Sequence, residues 1–289
     1  MKNLYKSLDI FCCVHEAHSR FKYNVSVFHI LRRKKCFPEG CFYFRWKCKL
    51  LSKQKVCHRG FRYVGRKCAG CKYFYEEKVH NVPELKIDPA KYRHFLNELD
   101  EFEDWLNIHK LRELIFEGRV DGVKPLFVKK VYPKTAYISF RGYLVSFREI
   151  FLGNKRLEDY VYLVLSSRHY SRLQLGRGSR IEGRGILQVD EGRILLKKPR
   201  SIEILEAGEA PVWNDSAVAV ARKTATEFPL QPEGCVRCPF GALVDVEKNG
   251  HSENGRRKEL ICLKGIADYR NCHVPAEYCG LEQESRPEL

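Results

Sequence analysis

Thirteen cysteines gathered into two clusters constrain this chain more than any other feature. Cys12 and Cys13 stand near the start, followed by Cys36, Cys41, Cys48, Cys57, Cys68 and Cys71. After a gap of more than 160 residues come Cys235, Cys238, Cys262, Cys272 and Cys279. The first thirty residues contain no apolar h-region ending in a small-residue cleavage site. The expectation is therefore a cytoplasmic protein in a reducing compartment, where clustered cysteines favour metal over a disulfide framework.

Each cluster contains one CxxC knuckle. In Cys68-Ala69-Gly70-Cys71 the glycine lets two thiolates converge on one ion, and Cys235-Val236-Arg237-Cys238 is followed by Pro239. Zinc takes four thiolate or imidazole ligands in a tetrahedron. The N-terminal set supplies Cys48, Cys57, Cys68 and Cys71, spaced C-x8-C-x10-C-x2-C, with Cys36, Cys41, His58 and His80 as substitutes. The C-terminal set supplies Cys235, Cys238, Cys262 and Cys272, spaced C-x2-C-x23-C-x9-C, with Cys279 spare. Two zinc sites are expected, because the long separations suit pinned loops. An iron–sulfur cluster at the C-terminal set is the alternative, since it also takes four cysteines. Buried free thiols are the plainer reading of either set.

The formal charge of +16 is segregated: residues 1–80 carry +14, 81–120 carry −3, 121–200 carry +10 and 201–289 carry −5. Segregated positive charge favours a polyanionic partner, because Lys and Arg release counterions from phosphates. A solvated basic surface is the bland alternative. No apolar run approaches the ~18–20 residues of a membrane helix, and no basic amphipathic helix is evident, so no membrane partner is expected. With 44% hydrophobic and 12% aromatic residues the chain can bury a core.

The organisation reads as a basic cysteine module at 1–80, a helical connector at 81–112, a β region at 113–206, and a helical linker with a second cysteine module at 207–289. In the first module Phe42, Tyr43, Phe44, Arg45 and Trp46 form one run. About half of its aromatics are expected in a thin core and the rest as stacking surfaces. Asp88 and Pro89 start a helix whose stripe is Tyr92, Phe95, Leu96, Leu99, Phe102 and Leu106. Its acidic side is a solvated face rather than a paired-carboxylate site.

From Glu113 the period switches to two. Leu114 to Val120, Tyr137 to Phe147 and Tyr160 to Leu165 read as strands. A hairpin follows from Arg184 to Leu196, turning at Asp190-Glu191-Gly192, and a last strand holds Ile202, Ile204 and Leu205. Along the second strand, Ile138, Phe140 and Leu144 share the expected interior side. Tyr137, Ser139, Arg141, Tyr143 and Phe147 share the other.

Five strands with this glycine pattern, and the Leu-x-x-Gly-x-x-Ile-x-Gly stretch from Leu175 to Gly183, resemble the OB-fold over about 90 residues. The fold class expected is thus mainly β with a few helices (α+β): a five-stranded OB-like barrel plus two small Cys-rich metal-stabilised modules. The resemblance implies oligonucleotide binding on the face of the second and third strands. Tyr137, Tyr143, Tyr160 and Tyr162 would stack on bases beside Arg141. Lys124, Lys129, Lys130, Arg168, Arg172, Arg177 and Arg180 would contact phosphates.

No GxxxxGK[ST] or HExxH sequence occurs, and nothing argues for a catalytic centre. The leading expectation is a non-catalytic binder of single-stranded DNA or RNA, since exposed aromatics need unstacked bases. The rivals are an iron–sulfur redox or regulatory protein, and a protein–protein adaptor.

Overall fold

The period-two patterning that starts at Glu113 is realised as long, bent strands. The computed structural model describes residues 1–248, 257–272 and 274, and it is mainly β with a large sheet. The chain divides into two compact units, Ser7–Arg93 and Met1–Lys6 with His94–Leu289. Among the described residues no helix is long and apolar enough to cross a membrane.

In Ser7–Arg93, β1 (Phe11–Cys12) pairs antiparallel with β2 (Asn24–Val25). β3 (Cys41–Cys48) and β4 (Phe74–Asn81) make a separate two-stranded antiparallel ribbon, in unbroken register from Cys41↔Asn81 to Cys48↔Phe74. β5 (Glu84–Leu85) pairs with β1. The core is thin, as a unit this small dictates: Phe11, Val25, Val27 and Ile30 are buried, and the Phe11 ring packs on Phe37 and Tyr92.

Helix α1 (Pro89–His109) begins where Asp88 Oδ1 accepts the Lys91 N–H at 2.9 Å. That bond is the main reason the Asp88 carboxyl titrates below its ordinary range. Phe95, Leu99, Phe102 and Leu106 are its buried stripe, and Glu98, Asp100, Glu101 and Asp104 face solvent.

In the larger unit, β6 (Glu113–Val131) pairs antiparallel with β7 (Ala136–Leu152), whose end turns back through β8 (Lys155–Leu157). β9 (Val161–Leu165) pairs antiparallel with β7, and α2 (Ser167–Leu173), capped by Ser166, follows it. β10 (Arg180–Asp190) pairs with the first half of β6, and β11 (Arg193–Glu206) pairs with β10. β11 also runs parallel to β9, with Ile194 opposite Val161. The ladder β6–β7–β9–β11–β10 therefore returns to β6. It encloses Phe116, Phe127, Tyr143, Val145, Phe147, Leu163, Ile181, Leu187 and Ile194, all with essentially no exposed surface. Ile202–Leu205 is not a separate strand but the far part of β11.

The inside–outside assignment along β7 differs from the expected one. Gly142 has φ +120°, and the register slips here, from Leu126↔Gly142 to Phe127↔Phe140. A Cβ at Gly142 would stand 2.1 Å from the Leu165 carbonyl oxygen, so only glycine lets β7 approach β9 this closely. This bulge exchanges the faces beyond it: Tyr143, Val145 and Phe147 point inward, and Leu144 lies on the other side.

α3 (Asp215–Thr224) follows, with Asn214 accepting the Ala217 N–H at 2.8 Å. β12 (Thr226–Phe228), the short helix α4 (Glu233–Arg237), β13 (Gly241–Lys248) and β14 (Arg257–Cys262) complete the unit. β14 lies between β12 and β13, antiparallel to both, and β13 runs parallel to the second half of β6 from Asp245↔Val128. The C-terminal cysteine region thus continues the sheet of the closed ring.

Candidate metal centres and nucleic-acid interface

Cys235, Cys238, Cys262 and Cys272 line a single cavity with apolar neighbours that include Phe228, Phe240 and Tyr269. The local backbone explains why they meet. The Cys238 N–H donates to the Gly234 carbonyl at 2.8 Å and the Gly241 N–H to the Cys238 carbonyl at 3.0 Å, which curls the CxxC into a knuckle. A Cβ at Gly241 would lie 1.7 Å from the Cys235 carbonyl oxygen, so the knuckle closes only over glycine. Gly241 is the register partner of Cys262, which brings the third thiol to the same point. Cys272 follows the turn at Tyr269–Asn271. The cavity admits the centre of a water-sized sphere over about 20 Å³, room for one small occupant.

Burial pushes the Cys235 thiol up to about 11, and Cys238, Cys272 and Cys262 add to this because their charges would repel its own; Lys124 opposes them. The Cys235 thiol therefore holds its proton unless a cation replaces it. That donor set suits tetrahedral zinc or an iron–sulfur cluster and is unsuited to hard cations. Among the described residues no three His, Cys, Asp or Glu side chains stand within ligating distance of one point, so the four share a cavity without being drawn onto a single centre. Cys279 lies outside the described residues.

In the N-terminal unit, Cys48 ends β3 opposite Phe74, and the Phe74 N–H donates to the Cys71 carbonyl at 2.9 Å. The Cys71 N–H donates to the Cys68 carbonyl at 3.0 Å. Cys57 Sγ accepts the Arg59 N–H at 3.4 Å, and Arg59 Nη1 donates to the Lys67 carbonyl. Cys48, Cys57 and Cys68 are buried and Cys71 is half-buried, all at one end of the ribbon. Cys41 starts β3 at the other end, so it and Cys36 do not substitute for them. His58 packs on Tyr73, while His80 bonds the Glu39 carbonyl and stacks on Phe42.

No protein-family model and no curated protein matches this chain.

Several expected contact residues are committed elsewhere. Tyr143 is fully buried, and its hydroxyl donates to Asp215 Oδ1 at 2.9 Å, so it cannot stack on a base. Lys124 Nζ donates to the Val236 and Gly241 carbonyls and pins the knuckle to β6. Lys129 is paired with Glu227 and Glu259 with only 13% of its side chain exposed, and Arg180 is paired with Glu117 and Glu206. Lys129 and Arg180 answer carboxylates that are distant in sequence, and Lys124 answers backbone carbonyls.

Tyr160 and Tyr162 are half-buried and stack on each other, centroids 6.2 Å apart at 15°. Arg148 donates to the Tyr160 hydroxyl, and Arg193 lies over the Tyr162 ring. Burial pushes the Tyr162 phenol up to about 12. Tyr137 is 48% exposed and stacks on Tyr132 at 5.7 Å. Arg141, Arg168, Arg172 and Arg177 are exposed and Lys130 is half-buried. The Gly142 approach to Leu165 and Ser166 sets Arg141 beside the start of α2, which carries Arg168 and Arg172.

The clearest aromatic surface lies on the ribbon of the smaller unit. Alternation along β3 puts Phe42, Phe44 and Trp46 on one side, 61%, 61% and 44% exposed. Lys78 Nζ stands 4.2 Å from the Phe42 ring centroid, and Trp46 Nε1 donates to Glu76 Oε1 at 3.0 Å. Tyr43 and Arg45 take the other side, where Arg45 donates to the Tyr43 hydroxyl and pairs with Glu16. The unit holding this stripe carries a formal charge of +13 over residues 7–93. The run Phe42–Trp46 was visible in the sequence as a mixture of core and surface aromatics. Its strict period of two was the signal that separates them.

Proposed function

We propose that this protein is a non-catalytic single-strand nucleic-acid-binding protein whose two cysteine sets hold zinc. The observation that carries the reading is the exposed Phe42–Phe44–Trp46 stripe on a strongly basic unit. A solvent-facing ladder of three large aromatics at ~6.6–7 Å spacing along a strand offers π-faces to successive unstacked bases, and surrounding cations supply phosphate contacts. A duplex hides those base faces.

The five-strand ring is read as an OB-type barrel. The return of its ladder to β6, the parallel β9–β11 pair and the position of α2 between β9 and β10 support that reading. On it, Arg141, Arg168, Arg172 and Arg177 are the phosphate contacts, with Tyr137 as a secondary stacking residue. Zinc would be held by Cys235, Cys238, Cys262 and Cys272, and by Cys48, Cys57, Cys68 and Cys71. It would supply cross-linking of loops rather than chemistry. A reducing cytoplasm suits twelve free thiols among the described residues.

The test is a titration of labelled single-stranded DNA, single-stranded RNA and duplex at low and moderate salt, with elemental analysis of the same preparation. Single-strand affinity that exceeds duplex affinity and falls steeply with salt is expected. Phe44→Ala with Trp46→Ala should weaken it by ~1–3 kcal/mol per stacked base. Absence of binding at low salt overturns the nucleic-acid reading. Stoichiometric iron with sulfide in place of zinc turns the C-terminal site into a redox or regulatory centre.

A further inference from the structure

A third group of thiols lies apart from both expected sets. Cys13 follows β1 and is buried, 1% exposed, and its Sγ accepts a hydrogen bond from Asn81 Nδ2 at 3.1 Å. Asn81 is the register partner of Cys41, so the amide spans from β4 to the thiol beside the first residue of β3. Cys36, 2% exposed, is returned to Cys41 by the turn in which the Gly40 N–H donates to the Cys36 carbonyl at 2.8 Å. The Cys36 and Cys41 side chains are hydrogen-bonded to each other, and Cys13 acts electrostatically on both. Cys12 is half-buried and, next to Cys13 on extended backbone, faces away.

We propose that Cys13, Cys36 and Cys41 form a third, three-thiolate metal centre in the N-terminal unit, taking zinc and leaving its fourth position to an exchangeable ligand on the Cys41 side. It is separate from the Cys48 set: Cys41 and Cys48 lie seven residues apart on one extended strand, about 23 Å. Several features distinguish the group from inert buried cysteines. The three thiols are brought into one neighbourhood by two segments, the end of β1 and the Cys36–Cys41 turn, and a buried side-chain amide donates to the Cys13 sulfur. A set of three sulfur donors suits a soft cation. On binding, three S–H protons pass to solvent as three metal–sulfur bonds form, with no change of oxidation state. Cys41 is the least buried of the three, which opens the fourth position on its side.

The experiment uses the full chain, reduced and reloaded with zinc, then with cobalt. Cys13→Ser with Cys36→Ser should hold one metal equivalent fewer than wild type, and the wild-type-minus-variant cobalt spectrum should show thiolate-to-cobalt charge transfer. Equal metal content in the two proteins, both folded by circular dichroism, overturns the centre. Should the variant not fold, alkylation footprinting of wild type serves instead. Cys13, Cys36 and Cys41 should be protected together and exposed together by a chelator. Alkylation of these three at the same rate with and without chelator overturns it. The readout is a difference confined to this triad, so it stands or falls independently of oligonucleotide binding and of the Cys48 and Cys235 sets.

Discussion

The Tyr143 hydroxyl and the Asp215 carboxylate meet at 2.9 Å, joining the interior of the closed β ring to the first residue of α3. Ser167, at the start of α2, donates to the same carboxylate, so one acid ties two helices to β7. Burial, and then the Asp215 carboxylate that accepts its proton, drive the Tyr143 phenol far above its usual range. Tyr143→Phe should cost about 1.5–3 kcal/mol, the range for a hydrogen bond to a charged group. Urea denaturation should record this, while oligonucleotide affinity stays unchanged. A loss of affinity at full stability would return Tyr143 to the binding surface.

Gly241→Ala should disable the C-terminal knuckle, because the added methyl meets the Cys235 carbonyl oxygen. The expected outcome is loss of the metal equivalent assigned to Cys235, Cys238, Cys262 and Cys272, with a lower Tm. Metal content measured beside a thermal melt checks both.

Salt dependence separates phosphate contacts from structural cations. Arg168→Ala and Arg172→Ala should each reduce the slope of log affinity against log salt by about 1. Lys129→Ala should leave that slope alone and lower stability instead, since it removes the cation paired with Glu227 and Glu259. Titrations over a salt series distinguish the two classes.

Acid should weaken the smaller unit through His29. Burial, then the charges of His18, Arg33, Lys34 and His15, lower His29 to about 4, and its Nε2 lies 3.2 Å from His18 Nε2. The unfolded chain binds this proton near 6.5 and the folded chain near 4. The stability linked to neutral His29 is therefore complete above about pH 6.5 and is lost as pH falls toward 4. His29→Gln should flatten the pH dependence of the urea midpoint over that window. A wild-type midpoint that does not move between pH 7 and pH 4 would refute the assignment.

Much of the architecture could be read from one dimension because it rests on local patterning. The α1 stripe, the hairpin turn at Glu191-Gly192 and the Cys235–Cys238 knuckle follow spacing and short-range turn chemistry. What was illegible depended on residues far apart in the chain. Parity along β7 predicts Tyr143 outside, and a single bulge at Gly142, needed for the approach to Leu165, turns it inward. Lys129 reads as a free cation until Glu227 and Glu259 are folded against it. Cys13 reads as half of a Cys-Cys pair, and only the β3–β4 register brings Asn81 and Cys41 beside it.

The 19-residue strand β6 belongs to two structures at once. Its first half closes the ring against β10, and its second half is the edge on which β13 and the cysteine sheet are built, with Lys124 bonded across to the knuckle. Neither part can melt without stripping a neighbour from the other. The ring and the cysteine sheet are thus one cooperative unit, and hydrogen exchange should find their amides opening with a common free energy. Ligand lost at Cys235 would register as faster exchange at the far end of β6.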